Sequence, residues 1–156
     1  MISLVMDTSN SYLAVGLYQD NVCLEAFQEK GSRRQSEKAI PTLKEVLDRH
    51  HIALKDVNEM IITSGPGSYT GVRVAMTIAK TLAAVSDVRI KSVSSLAAYA
   101  GMNQALSVID ARGHKVFVGV YENGLPLIKE QVMTLEDFAQ LRAEYGDFEL
   151  VGEVGC

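Results

Sequence analysis

Seven residues, Gly65-Pro66-Gly67-Ser68-Tyr69-Thr70-Gly71, limit what this chain can fold into more than any other stretch. They join the apolar run Met60-Ile61-Ile62-Thr63 to an alanine-rich helical pattern from Val72 to Ala84. Glycine admits positive φ and close backbone approach, and proline fixes φ and donates no N–H, so the segment reads as a sharply turned loop between a strand and a helix. Such a loop aims several backbone N–H groups, and the positive end of a helix, at whatever sits above it. Two occupants suit that geometry: a phosphate, cradled by Gly65, Gly67, Ser68, Thr70 and Gly71, or another backbone that needs the absent side chains in order to approach.

The rest of the chain builds an α/β lobe around that loop. Residues 2–6 form a short apolar run ending at Asp7-Thr8-Ser9-Asn10, residues 12–18 a second β-type run, and residues 22–27 a third after a turn at Gln19-Asp20-Asn21. Three runs with short polar connections predict an antiparallel meander. Ile40, Leu43, Val46 and Leu47 then recur at helical spacing, with Pro41 inside the pattern as either a kink or a late start. Residues 57–63 and 88–93 read as strands on either side of the glycine loop and second helix, and Ser94-Ser95 cap a third helix through Tyr99. The order βββαβαβα gives a mixed five-stranded sheet with helices over residues 1–103. From residue 104 the order restarts: a strand at 105–109, a turn at 110–114, a hairpin partner at 116–121, a helix from Leu135 to about Tyr145 and a strand near residue 150. Residues 104–156 are therefore expected to be an incomplete second lobe.

Composition enters by exclusion. A net charge of −4 gives no basic footprint for gripping nucleic acid directly. Two cysteines, Cys23 and Cys156, match neither a metal nor a disulfide spacing, and no apolar run approaches the ~18 residues of a membrane span. A reducing cytoplasm fits, with no export signal at the start.

Four groups of residues bear on function. Asp7 at a strand end beside Thr8 and Ser9 can orient a Mg²⁺-bound nucleotide phosphate, or can hydrogen-bond its own turn and shape the sheet end. A working phosphate hairpin normally carries a glycine after the acidic residue, and Thr8-Ser9-Asn10 has none. Arg73 sits in the first turn of helix two, where the macrodipole disfavours a cation by roughly 0.3–1 kcal/mol. It calls for an acidic group in its own chain, an anion at the loop, or a carboxylate on another subunit. On helix two, Ala75, Ile78, Ala79 and Leu82 make one apolar face for the sheet, while Val72, Met76 and Ala83 lie away from it. With Ile40, Leu43 and Leu47 of helix one, these are expected to form an exposed apolar patch, a helix-pair interface or simple lobe packing. The three histidines, His50, His51 and His114, form no His-x-x-x-His pair and no Ser/His/Asp set, so no catalytic or metal-binding residue is assigned.

Asp7-Thr8-Ser9, the stretch from Gly65 to Arg73, and Ile109-Asp110-Ala111-Arg112 opening the second lobe together resemble the TsaB family, also called YeaZ. The resemblance covers nearly the whole chain. It implies the duplicated actin-like (ribonuclease H-like) ATPase fold shared by sugar kinases and Hsp70, and a cytoplasmic protein needed for threonylcarbamoylation of adenosine 37 in tRNA. It further implies that the chemistry belongs to the paralogue TsaD, which this chain would bind and activate, with TsaE as the ATPase that joins them. Where TsaD-type relatives place His-x-x-x-His, this chain has Arg34-Gln35-Ser36-Glu37-Lys38-Ala39, which fits a non-enzymatic role. Helices one and two would pack on the same helices of TsaD, or of a second copy as a homodimer. ATP or ADP would then bind only at the interface with TsaD, and tRNA only through the complex. Family members usually extend past the equivalent of Cys156, so the chain is expected to be a truncated or short form. The rival expectation is an ATP-dependent phosphotransferase or ATPase built on Asp7 and the glycine loop; a protease label attached to this superfamily finds no nucleophile–base set here.

Overall fold

The structure is a computed structural model that describes residues 1–9, 12–30 and 35–153, with the side chains of residues 35, 36 and 153 outside the description. Asn10, Arg34 and Cys156, which figure in the sequence reading, lie outside the described residues. Two compact units separate, Met1–Ser64 with Ser68–Val93, and Gly65–Gly67 with Ser94–Cys156.

The first unit is the mixed sheet the alternation predicts. Its strands β1 (Ile2–Asp7), β2 (Tyr12–Gln19), β3 (Val22–Lys30), β4 (Glu59–Thr63) and β5 (Arg89–Val93) lie in the order β3-β2-β1-β4-β5. β1, β2 and β3 pair antiparallel, while β1–β4 and β4–β5 pair parallel. The parallel pairs need crossovers, which α1 (Gln35–Arg49) and α2 (Tyr69–Val85) supply. Leu4, Met6, Met60 and Ile62 point into the layer beneath the helices and meet Ala39, Leu43, Val46, Leu47, Ala75, Ile78 and Ala79 in one buried cluster. Alanines at positions 75 and 79 let α2 sit close to the sheet.

Helix α1 continues through Pro41 from Gln35, so the proline marks no late start. Helix α2 begins at Tyr69, three residues earlier than its apolar pattern suggests. Ser68 is its N-cap, accepting the Gly71 amide at 3.2 Å, so Gly71 is a helical residue instead of a loop residue.

The second unit repeats the start of the first. Strands β6 (Ala105–Arg112), β7 (Lys115–Glu122), β8 (Leu125–Pro126) and β10 (Glu149–Glu153) lie in the order β10-β6-β7-β8, and β9 (Gln131–Thr134) also pairs with β7. At one constant offset, Asp7 corresponds to Asp110, Gly16 to Gly119 and Tyr18 to Tyr121. The correspondence extends to conformation. Asp20-Asn21 and Asn123-Gly124 all take positive φ in two-residue hairpin turns, and each tyrosine ring lies over the glycine two residues before it. β10 pairs parallel to β6 as β4 does to β1, and α4 (Leu135–Glu144) covers one face of the sheet. Among the described residues this unit has no counterpart of α2 and β5.

The unit boundary differs from the expected break after residue 103. Helix α3 (Ser95–Ala100) packs Leu96 and Ala100 against Ala105, Ile109 and Tyr121, so its burial belongs to the second sheet and the division falls between Val93 and Ser94. Gly65, with φ 99°, joins it there: its carbonyl accepts the Ser95 amide at 2.8 Å.

Candidate functional site

Two features of the first unit hold the residues that the sequence singles out: the end of β1 against the start of α2, and the groove between α1 and α2.

At the first, Asp7 is committed within the chain. Its Oδ1 accepts the Ser9 amide at 2.8 Å, the Ser9 hydroxyl at 2.6 Å and the Thr63 hydroxyl at 2.6 Å. The sequence reading missed Thr63. The signal was available in register, because Met6 pairs with Ile62 across the parallel β1–β4 ladder and the next residues, Asp7 and Thr63, end both strands together. Thr8 and Ser9 are fully buried. Thr8 donates its hydroxyl to the Gly71 carbonyl at 2.5 Å, and the Ser68 amide donates to the Ser9 carbonyl at 2.6 Å. A Cβ on Gly71 would stand 1.9 Å from the Thr8 carbonyl oxygen.

These contacts give the glycine-rich turn a use in close backbone packing. The first turn of α2 is closed onto the Asp7-Thr8-Ser9 backbone, and glycine at 71 is what permits it. Two of the amides that would face a phosphate, those of Ser68 and Gly71, are bonded to Ser9 and Ser68 instead. Asp7 Oδ1 and these two amides are thus already engaged within the chain. Thr70 is exposed on the helix surface.

The second feature is an apolar groove between α1 and α2, of about 420 Å³. Ile40, Leu43 and Leu47 line it from α1, Thr77, Ile78, Thr81 and Leu82 from α2, and Ile52 and Leu54 close one end. Lys44 and Asp48 stand on its rim. Ile40 is 60% exposed, whereas Leu43 and Leu47 form the buried floor. The α2 side of the expected patch is corrected. Val72, Met76 and Ala83 are half-buried, and Met76 and Ala83 pack onto the core from the flank away from α1. A helix shows α1 its 74-77-78-81 side when its 75-79-82 side faces the sheet, so the groove takes Thr77, Ile78 and Thr81 and leaves Val72, Met76 and Ala83 out.

Arg73 is exposed at the end of α2 nearest Ile40. It donates to the Tyr69 hydroxyl at 3.2 Å, with its guanidinium 5.3 Å from the centre of the Tyr69 ring. Of the three partners open to it on sequence grounds, an acidic group in its own chain is absent among the described residues.

The end of α1 is fixed electrostatically. Arg49 donates from both Nε and a terminal nitrogen to Glu25 of β3, and His50 Nε2 lies 3.0 Å from Glu25 Oε1. The Arg49 hydrogen bonds, helped by His50, hold the Glu25 carboxyl down at about 2. This explains the adjacent histidines without invoking a metal: His50 braces the helix end and His51 is exposed. Among the described residues no three His, Cys, Asp or Glu side chains are grouped to hold a metal ion, and no helix is long and apolar enough to cross a membrane.

The family described as "TsaD: tRNA N6-adenosine threonylcarbamoyltransferase" matches residues 28–149. The chain is 32% identical over 153 residues to the tRNA threonylcarbamoyladenosine biosynthesis protein TsaB of Bacillus subtilis, covering 92% of this chain and 67% of that protein. It is 31% identical to the protein of the same name from Escherichia coli, covering 78% of this chain and 57% of that one. The chain thus spans only part of the length of these relatives. Among solved structures it is similar to YeaZ from Pseudomonas aeruginosa, with a TM-score of 0.79 and 29% identity over 85% of this chain and 67% of that one. The two mixed sheets with their covering helices are the α/β architecture expected from the resemblance.

Proposed function

This chain belongs to the TsaB (YeaZ) family, and on that premise we propose that it serves tRNA threonylcarbamoyladenosine biosynthesis as a non-catalytic partner that docks on and activates a TsaD-type paralogue. The observation that carries the proposal is the α1–α2 groove. An apolar trough floored by Leu43, Leu47 and Ile78, with Ile40 exposed at its mouth, has the shape and chemistry that an amphipathic helix buries. The paralogue is the fitting occupant because the TsaD family resembles this chain over residues 28–149, the stretch that includes α1 and α2.

The closed turn at Asp7 and Gly71 supports the non-catalytic half of the reading, since the residues that would orient a phosphate on the first unit are bonded to one another. A net charge of −4 supports tRNA contact made through the complex. In this reading TsaE joins the pair, any ATP or ADP sits at the shared interface, a homodimer through the same groove stands in when TsaD is absent, and the protein works in the cytoplasm. The test is co-purification of this chain with the TsaD-type paralogue of its own organism, followed by tRNA modification assayed with and without it. The reading holds if the paralogue is captured and modification depends on the chain. It fails if the paralogue alone modifies tRNA at the full rate, or if this chain alone binds ATP with Mg²⁺ tightly and loses that binding in Asp7→Ala.

A further inference from the structure

Beside the α1–α2 groove, Arg73 is a cation held in place without a counter-charge among the described residues, and it identifies part of the chemistry of the occupant; the inference rests on the reading above, that the groove seats a partner's helix. Lys38 is neutralised by Glu29 at 3.1 Å and Arg49 by Glu25, while Lys44 on the groove rim is exposed without an ion pair among the described residues and without a ring to hold its charge in place. Arg73 differs. Its partner is the neutral Tyr69, which is itself 75% exposed, and the positive end of α2 lies beside it.

Arg73 is also placed where a docked helix would meet it. With Ile40, Tyr69, Val74, Thr77 and Ile78 it borders a depression of about 320 Å³, and Ile40, Thr77 and Ile78 line the apolar groove as well. Stacking on Tyr69 holds the planar guanidinium at this rim, where its remaining N–H groups have no protein acceptor among the described residues. A helix that covers Ile40 and Ile78 removes water from this rim, which strengthens an ion pair made there and penalises an unpaired charge.

We propose that the partner helix carries an Asp or Glu that pairs with Arg73, and that this pair fixes the register of the helix in the groove. A guanidinium accommodates a carboxylate with two parallel N–H···O bonds, so the pair sets orientation as well as affinity. A partner with Lys or Arg at that position is rejected by like charge.

The experiment titrates this chain against the full-length TsaD-type paralogue of the same organism, using wild type, Arg73→Gln and Arg73→Glu at low and moderate salt. Both variants are expected to keep the wild-type melting curve, because Arg73 is exposed, and to weaken binding by about tenfold or more, Arg73→Glu the most. Changing the paralogue's helix carboxylates to Lys one at a time is expected to restore binding of Arg73→Glu at a single position. Binding of Arg73→Glu within about twofold of wild type overturns the proposal, as does a weakening that no carboxylate reversal restores. Loss of tRNA binding by the complex with paralogue binding intact also overturns it, because the cation then serves nucleic acid. Failure of the wild-type chain to bind the paralogue is a different result, and it sinks the groove reading itself.

Discussion

Gly71 and the Thr8 carbonyl are in such close contact that a methyl group on the glycine would stand 1.9 Å from the oxygen. Thr8 closes the contact from its own side by donating its hydroxyl to the Gly71 carbonyl. The start of α2 is thereby clasped to the end of β1, which sets the angle at which α2 leaves the sheet and so the width of the groove it shares with α1.

Gly71→Ala is expected to cost about 1–3 kcal/mol of stability, because the added carbon meets the buried Thr8–Ser9 backbone, which is held by its own hydrogen bonds and cannot give way alone. Gly146→Ala, whose added carbon would lie 3.7 Å from the nearest backbone oxygen, should stay within about 0.5 kcal/mol of wild type. Urea titrations of the two variants make the comparison. Equal costs would mean that α2 can slide and that the clasp does not set its position.

The groove gives a prediction that separates binding from folding. Ile40→Asp, on an exposed side chain, should abolish capture of the TsaD-type paralogue in size-exclusion chromatography while stability stays within about 0.5 kcal/mol of wild type. Leu43→Asp is different in kind. Leu43 is 5% exposed, so an unpaired carboxylate there costs several kcal/mol and its effect on binding would follow unfolding. Retention of the complex by Ile40→Asp would remove the groove from the interface.

The difference between Ile40 and Leu43 marks where the sequence was legible. Every strand of the first sheet follows from alternation and turn residues, and the restart near residue 105 follows from the same pattern seen twice. The α2 side of the groove does not, because the apolar periodicity of a helix reports which side is buried but not which neighbour lies on each flank of it. Val72, Met76 and Ala83 fell on the flank away from α1, and Ile78, read as a sheet contact, reaches both the core and the groove. Glycine content hid the first turn of α2, since a residue needed for close packing at Gly71 carries the same mark as a residue needed for a loop. Strands β8 and β9 were missed for lack of length, Leu125–Pro126 being two residues. Helix α3 was joined to the wrong lobe because chain order, unlike burial, cannot say which sheet Leu96 covers.

Glu25 gives an acid-limb prediction. Its carboxyl is held at about 2 by Arg49 and His50, against an unfolded value near 4.3. A depressed carboxylate contributes stability that is fully present above the unfolded value and is lost as pH falls through the window down to the folded one. Urea midpoints measured between pH 5 and pH 2 should therefore decline in wild type, and the decline should be shallower in Glu25→Gln. Parallel curves for the two proteins would show that the pair at the end of α1 adds nothing to the folded state.

Tyr121 makes the opposite prediction, on the alkaline limb. It is 3% exposed, with its hydroxyl donated to Glu130, and burial first and Glu130 second push its pKa well above the usual tyrosine value near 10. The folded state therefore keeps a proton that the unfolded chain releases, so this contribution is complete below about pH 10 and declines as the pH rises past it. Tyrosinate absorbance should show the Tyr121 ring of the folded protein resisting titration until the protein unfolds, and Tyr121→Phe should remove that contribution and flatten the decline in stability above about pH 10. The same variant leaves Glu130 without its donor and costs about 1–2 kcal/mol at neutral pH, which tests the hydrogen bond apart from the titration. If Tyr121 ionises in the folded protein together with the exposed tyrosines, the second sheet must open around it well before it unfolds, and the packing of α3 on that sheet is looser than its buried Leu96 and Ala100 imply.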